Sequence, residues 1–114
     1  KNMFNSEDIV KIIFNSYNKV LYTSRSPVPY LNSKFSKKLD LRRIGGIFGF
    51  RYEYLKLFVK QNETRLEKLE SCDSNRILDM KFDQYVAKVN VKYSQSVDTI
   101  KDLKLVEKLL KIIK

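Results

Sequence analysis

Residues 64–82 read Thr64-Arg65-Leu66-Glu67-Lys68-Leu69-Glu70-Ser71-Cys72-Asp73-Ser74-Asn75-Arg76-Ile77-Leu78-Asp79-Met80-Lys81-Phe82, and their reading decides the fold. The run Ser71 to Asn75 is as polar as a hairpin tip. After it, Leu78, Met80 and Phe82 alternate with charged or polar neighbours. This alternation predicts an antiparallel hairpin with strands over 64–70 and 76–82. A third strand is expected over 85–93, where Val86, Val89 and Val91 fall in a looser alternation.

Upstream, the apolar spacing is helical. Ser6 followed by Glu7 and Asp8 reads as an N-cap with acids in the first turn, and Ile9, Ile13, Tyr17, Val20 and Leu21 continue as one stripe. This predicts a helix from Ser6 to about Tyr22, stopped before Pro27. Val28-Pro29 leads into a second short helix with Leu31, Phe35 and Leu39 four apart. Gly45-Gly46 breaks the chain, and a third helix follows from Ile47 or Gly49 to Lys60, with Leu55, Phe58 and Val59 inward. Downstream, Val97 to Ile113 is amphipathic, with Ser96 as cap.

The 114 residues suit one domain, and 43% apolar with 32% charged residues describe a chain that folds. No apolar run approaches a membrane span, so no membrane partner is expected. The first residue is Lys1, and the chain is read as a piece excised from a longer protein. With Cys72 as the single cysteine and no histidine, an internal disulfide, cysteine-based zinc sites and Ser-His-Asp or Cys-His catalysis are excluded. No cofactor and no metal are expected. Lack of disulfides favours an intracellular site, with the nucleus among the expectations.

The formal charge of +10 is unevenly spread. Lys34, Lys37, Lys38, Arg42, Arg43, Arg51, Lys56 and Lys60 face only Asp40 and Glu53 between residues 34 and 62, and all three glycines lie there too. Residues 63–83 are by contrast acidic. A folded, basic, glycine-punctuated segment is a candidate phosphate-binding face.

Three helices and then a hairpin is the order of a winged helix-turn-helix domain. The run Val28-Pro29-Tyr30-Leu31, then Phe35, Leu39, Leu41, a glycine at 45 or 46, and Leu55 and Phe58 before a strand, resembles the LOTUS (OST-HTH) subgroup over residues 6–82. The resemblance implies an α+β fold: a winged-helix-like core of three helices plus a β-hairpin, extended over 84–114 by a strand and a C-terminal helix. It also implies a DNA- or RNA-binding module, or a protein-interaction or dimerisation module of a nuclear or nucleic-acid-associated factor.

The expectation that follows is a non-catalytic nucleic-acid-binding protein whose Arg42, Arg43, Arg51, Lys56, Lys38 and Lys34 meet the backbone, with Arg76 on the wing. Its partners would be the DNA or RNA backbone and, in the second reading, a protein partner or a second copy. Tyr30, Phe48, Tyr52 and Tyr54 are candidates for base stacking, against a simpler role at the core edge. Two further patterns compete. Gly46-Ile47-Phe48-Gly49 satisfies the GXXG of a KH domain, although its middle residues are large and apolar. Asp79-Met80-Lys81 matches the acid-x-Lys strand of Mg-dependent nucleases, with Asp73 or Glu70 as the second carboxylate. Charges alternating on an exposed strand explain the latter without chemistry.

Overall fold

Two runs rich in β-branched and aromatic residues flank the polar stretch Asn15-Ser16-Tyr17-Asn18. In the computed structural model they form an antiparallel hairpin, β1 (Lys11–Phe14) and β2 (Val20–Ser24). The structure describes residues 3–32, 42–89, 96–97 and 99–113. Asn15 builds the turn: its side-chain oxygen accepts from the Tyr17 and Lys19 amides, each at 3.0 Å, while Asn18 takes a left-handed φ of 62°. The helix expected over 6–22 is therefore corrected to a hairpin. Its apolar residues also satisfy a short-period strand pattern, and the local turn chemistry of Asn15 and Asn18 decides between the two.

Register pairs Lys11 with Ser24, Ile12 with Thr23 and Ile13 with Tyr22, then shifts before Phe14 pairs with Val20. A two-residue strand β3 (Arg42–Arg43) pairs antiparallel with β1, so the sheet order is β2–β1–β3. Beyond the hairpin, residues 84–86 return to it: the Val20 amide donates to the Gln84 carbonyl at 2.8 Å and the Val86 amide to that of Asn18 at 2.9 Å. The strand expected at 85–93 is thus a single bridge, Lys19 to Tyr85, in its described part, and residues 90–95 lie outside the described set.

The expected hairpin at 64–82 is corrected to two helices, α2 (Arg65–Glu70) and α3 (Ser74–Asp79), preceded by α1 (Tyr52–Lys60). Thr64 and Glu67 form a capping box, so Thr64-x-x-Glu67 is a helix-start signal inside the supposed strand. The alternation of Leu78, Met80 and Phe82 is the unwinding of α3: the Phe82 amide donates to the Ile77 carbonyl at 3.1 Å and the Lys81 amide to that of Leu78 at 2.9 Å. This is a Schellman ending, with Lys81 at φ 60° in the place glycine prefers. Lys81→Gly is expected to stabilise the chain by about 0.5 kcal/mol, the left-handed strain relieved less the added unfolded-state entropy. A rise of a few degrees in Tm checks it.

The winged-helix-like core is overturned by these corrections. Its first helix is a strand hairpin, and its wing is a helical corner. Its second helix, over 29–39, lies mostly outside the described residues; Tyr30, Leu31 and Asn32 are not helical. The third and the last helices are present as α1 and α4 (Ile100–Ile113), but Thr99, not Ser96, caps α4: its hydroxyl accepts from the Asp102 amide at 3.2 Å, and its own amide donates to Asp102 Oδ2 at 2.9 Å.

A small core forms where α3 crosses β2, with Ile12, Val20, Cys72 and Ile77 buried. Much of the burial is polar, and it is satisfied. Thr23 Oγ1 donates to Asn75 Oδ1 at 2.8 Å, and Asn75 Nδ2 donates back to the Thr23 carbonyl at 3.1 Å. Lys11 is fully buried; its Nζ donates to the Ser6 carbonyl at 2.6 Å and to that of Arg25. These bonds tie the segment before β1 to the end of β2.

Candidate active-site cleft

The corner between α2 and α3 faces the glycine-bearing loop between β3 and α1 across an open cleft of about 820 Å³. Val10, Ile44 and Phe48 make its apolar wall, and Arg25, Lys68, Glu63, Glu67 and Asp73 supply charge. Gly46, at φ 76°, is the glycine this loop requires, because a side chain there would be strained.

Arg25 is aimed by backbone carbonyls. Its Nε donates to Glu70 at 3.0 Å, one terminal nitrogen to Glu7 at 2.9 Å and the other to Ser71 at 3.1 Å. The planar fork thus joins the N-terminal turn to the end of α2. Ser71 ends that helix in the left-handed region, at φ 46°, which turns its carbonyl toward the guanidinium.

Behind Arg25 stands Glu70, a carboxylate with three donors: the Tyr22 hydroxyl at 2.6 Å, the Ser24 hydroxyl at 2.9 Å and the Arg25 amide at 2.9 Å. Burial is the largest single influence on Glu70 and pushes its carboxyl up, but the three donors and the Arg25 charge together hold it below the ordinary range. The same bond pushes the Tyr22 hydroxyl up to about 12, with burial adding to it. Glu67, also on the cleft wall, is held low chiefly by Arg76.

The residues expected to bind a polyanion are placed otherwise. Arg42 and Arg43 are consecutive on β3 and so point to opposite faces of the sheet. Arg51 is exposed ahead of α1. Lys56 is paired with Glu53 at 2.7 Å and lies 4.7 Å from the Tyr52 ring centre. Arg76 turns inward, bound to both oxygens of Glu67, to the Gln61 carbonyl at 3.2 Å, and stacked 4.5 Å over Phe58. Lys34 and Lys38 lie outside the described residues. Among the described residues, none of this set lines the cleft.

The two competing patterns also lose their contexts. Asp79 ends a helix rather than riding a strand, and no cluster of three acidic or thiol side chains among the described residues is placed to hold a metal. The Gly46–Gly49 loop joins a strand to a helix rather than two helices. Of the aromatic candidates, Tyr54 packs edge-on against Phe82 at 5.0 Å.

Arg25 was missed by sequence reasoning, and Glu70 and Asp73 were considered only as second carboxylates of a metal site. They sit in different elements, and only the hairpin and the helical corner bring them together. A three-stranded sheet, a glycine turn and a two-helix corner around an open, mixed-charge cleft define an α/β lobe.

The comparisons make the class particular. The cytidylyltransferase family model matches residues 2–108, and the chain belongs to that family. It is 35% identical over 111 residues to the 3-deoxy-manno-octulosonate cytidylyltransferase of Thermodesulfovibrio yellowstonii, covering 94% of this chain and 43% of that protein. The protein of the same name from Lawsonia intracellularis is 35% identical over 101 residues, covering 89% of this chain and 39% of its own length. The solved structure of CMP:2-keto-3-deoxy-manno-octonic acid synthetase complexed with CTP superposes with a TM-score of 0.83 at 26% identity, over 96% of this chain and 44% of that one. The chain thus spans less than half the length of these relatives.

These findings overturn the winged-helix and LOTUS resemblance, the nucleic-acid-binding function and partner, and the expectation of a non-enzyme. The fold is that of the cytidylyltransferases, and the relatives are named as enzymes. Their bacterial sources argue against a nuclear factor. No helix among the described residues is long and apolar enough to cross a membrane.

Proposed function

We propose that this chain is the acceptor-binding part of an intracellular cytidylyltransferase that transfers CMP from CTP to a 3-deoxy-2-ulosonic acid such as 3-deoxy-manno-octulosonate. Family membership along nearly the whole chain carries the reading. In the reaction, a hydroxyl oxygen of the sugar acid attacks the α-phosphorus of CTP. A new O–P bond forms, the bond to the β-phosphate oxygen breaks, pyrophosphate leaves and the hydroxyl proton is released.

The charge of the cleft favours the sugar acid over the nucleotide as its occupant. Arg25 and Lys68 are set against Glu63, Glu67 and Asp73, with Glu67 already taken by Arg76. Such a near-neutral wall does not balance the charge of a bare triphosphate but suits a monoanion rich in hydroxyls. Arg25 pairs with the sugar carboxylate. Asp73 and Glu63 accept from hydroxyls, while Phe48 and Ile44 exclude water along the apolar ring face.

Titrating 3-deoxy-manno-octulosonate into the 114-residue chain, followed by amide NMR, tests the assignment. Shifts at Gly46, Ser71 and Asp73 are expected, with CTP leaving them unmoved. Joining this chain to the portion of the T. yellowstonii relative that it does not match should then release pyrophosphate only when both substrates are present. Shifts with CTP alone, or no CMP-sugar formed, would sink the reading.

A further inference from the structure

We infer that the outer apolar face of α4 is the docking surface for the remainder of the cytidylyltransferase, the portion this chain does not contain. At 100° per residue, apolar side chains from Ile112 and Leu105 through Leu109, Val106, Leu110 and Leu103 to Ile100 span roughly two-thirds of the helix circumference, interrupted by Asp102, which is engaged in the Thr99 cap, and by Glu107. Lys101, Lys104, Lys108 and Lys111 occupy the strip left over. A helix with that distribution belongs between two layers and keeps only a narrow charged edge for solvent.

Only the middle of that arc is covered. Val106 and Leu109 are half-buried, whereas Leu110 is 58% and Ile112 76% exposed, with Ile100, Leu103 and Leu105 also open. The open side chains flank the lysine strip, Leu110, Leu103 and Ile100 on one side and Leu105 and Ile112 on the other, an amount of exposed apolar surface unusual for a finished helix. The helix lies within the region shared with the relatives: the solved neighbour matches 96% of this chain and has more than as much polypeptide again. That additional mass is the occupant the face fits. A second copy fits less well, because each chain carries a formal +10 and the lysine strip borders the patch.

The test compares one substitution in two settings. Leu110→Lys and Leu103→Lys are made in the 114-residue chain and in the chain joined to the unmatched portion of the T. yellowstonii relative. In the chain alone they should leave Tm within about a degree, since these side chains are already wet. In the joined protein they should lower it by about 5 °C or more. Amide exchange along α4 should slow at least about tenfold on joining, and also when the two pieces are mixed as separate polypeptides.

Equal tolerance in both settings overturns the inference, as does unchanged α4 exchange in both the joined and the mixed forms. Concentration-dependent protection of α4 in the chain alone, seen with a dimer in sedimentation, assigns the face to a second copy and also overturns it. Docking is read without turnover, so a protected α4 with no CMP-sugar would fault the proposed reaction alone. Turnover with an open α4 would fault the docking alone.

Discussion

Arg76→Met is expected to lower the stability of this chain by about 2–3 kcal/mol. Arg76 joins three elements: an ion pair to Glu67 of α2, a hydrogen bond to the Gln61 carbonyl that ends α1, and a stack on Phe58. Its loss leaves Glu67, whose side chain is 9% exposed, as a carboxylate with one backbone donor and only the more distant charge of Lys68. The value falls below the roughly 3–5 kcal/mol of fully buried pairs because both side chains keep some exposure and the surrounding core is small. Replacing both partners, as Glu67→Leu with Arg76→Met, should recover most of the loss, since no charge is then stranded.

The pH dependence follows from Glu67. Arg76 chiefly, then the Thr64 amide, hold its folded carboxyl below its ordinary value of 4.5, against burial. A lowered carboxyl contributes stability that is present above the ordinary value and lost as pH falls through the folded one. The gap between the native chain and Arg76→Met should therefore be full at pH 7 and narrow below about pH 4. Urea unfolding at pH 7, 5 and 3 reads this directly. A gap that does not change with pH would mean that Arg76 acts through packing on Phe58 alone.

The second large effect is on activity. In the chain joined to the unmatched portion of its relative, Arg25→Ala should cost about 100-fold in kcat/KM, as expected when one partner of a desolvated ionic contact is removed. The loss should appear in KM for the sugar acid and leave KM for CTP nearly untouched. Arg25→Lys should restore little, because a single ammonium cannot reach three divergent carbonyls and still meet a carboxylate. Equal losses for both substrates would instead place Arg25 in the scaffold. Thermal melts of the same variants separate that outcome from unfolding, since the carbonyls of Glu7, Glu70 and Ser71 all lose a donor.

The elements legible in the sequence were those whose signal is purely local. The helices α1 and α4 were foreseen because their stripes repeat at 3.6 residues with no competing turn signal. What they pack against was not. Leu55 and Val59, expected inward, remain exposed, and Phe58 is half-buried beneath Arg76. Local cues were present but outvoted elsewhere. Asn15 to Asn18 marked a hairpin turn, and Thr64-x-x-Glu67 a helix start.

The basic segment shows the opposite failure. Its composition is real, but charge counted along a chain says nothing about which side of a strand each cation faces, or which carboxylate is near. Arg42 and Arg43 part across β3, and Arg76 closes on an acid nine residues away. Pairs such as Tyr22 with Glu70, or Thr23 with Asn75, are about fifty residues apart and carry no mark of each other.

Chain chemistry alone determined that these residues fold, that residues 100–113 form an amphipathic helix, and that the 114 residues hold no histidine and a single cysteine. The cleft was decided only by tertiary structure. A site made from a turn, a strand end and a helix corner exists as distances between side chains, and those are set by which elements the core brings into contact.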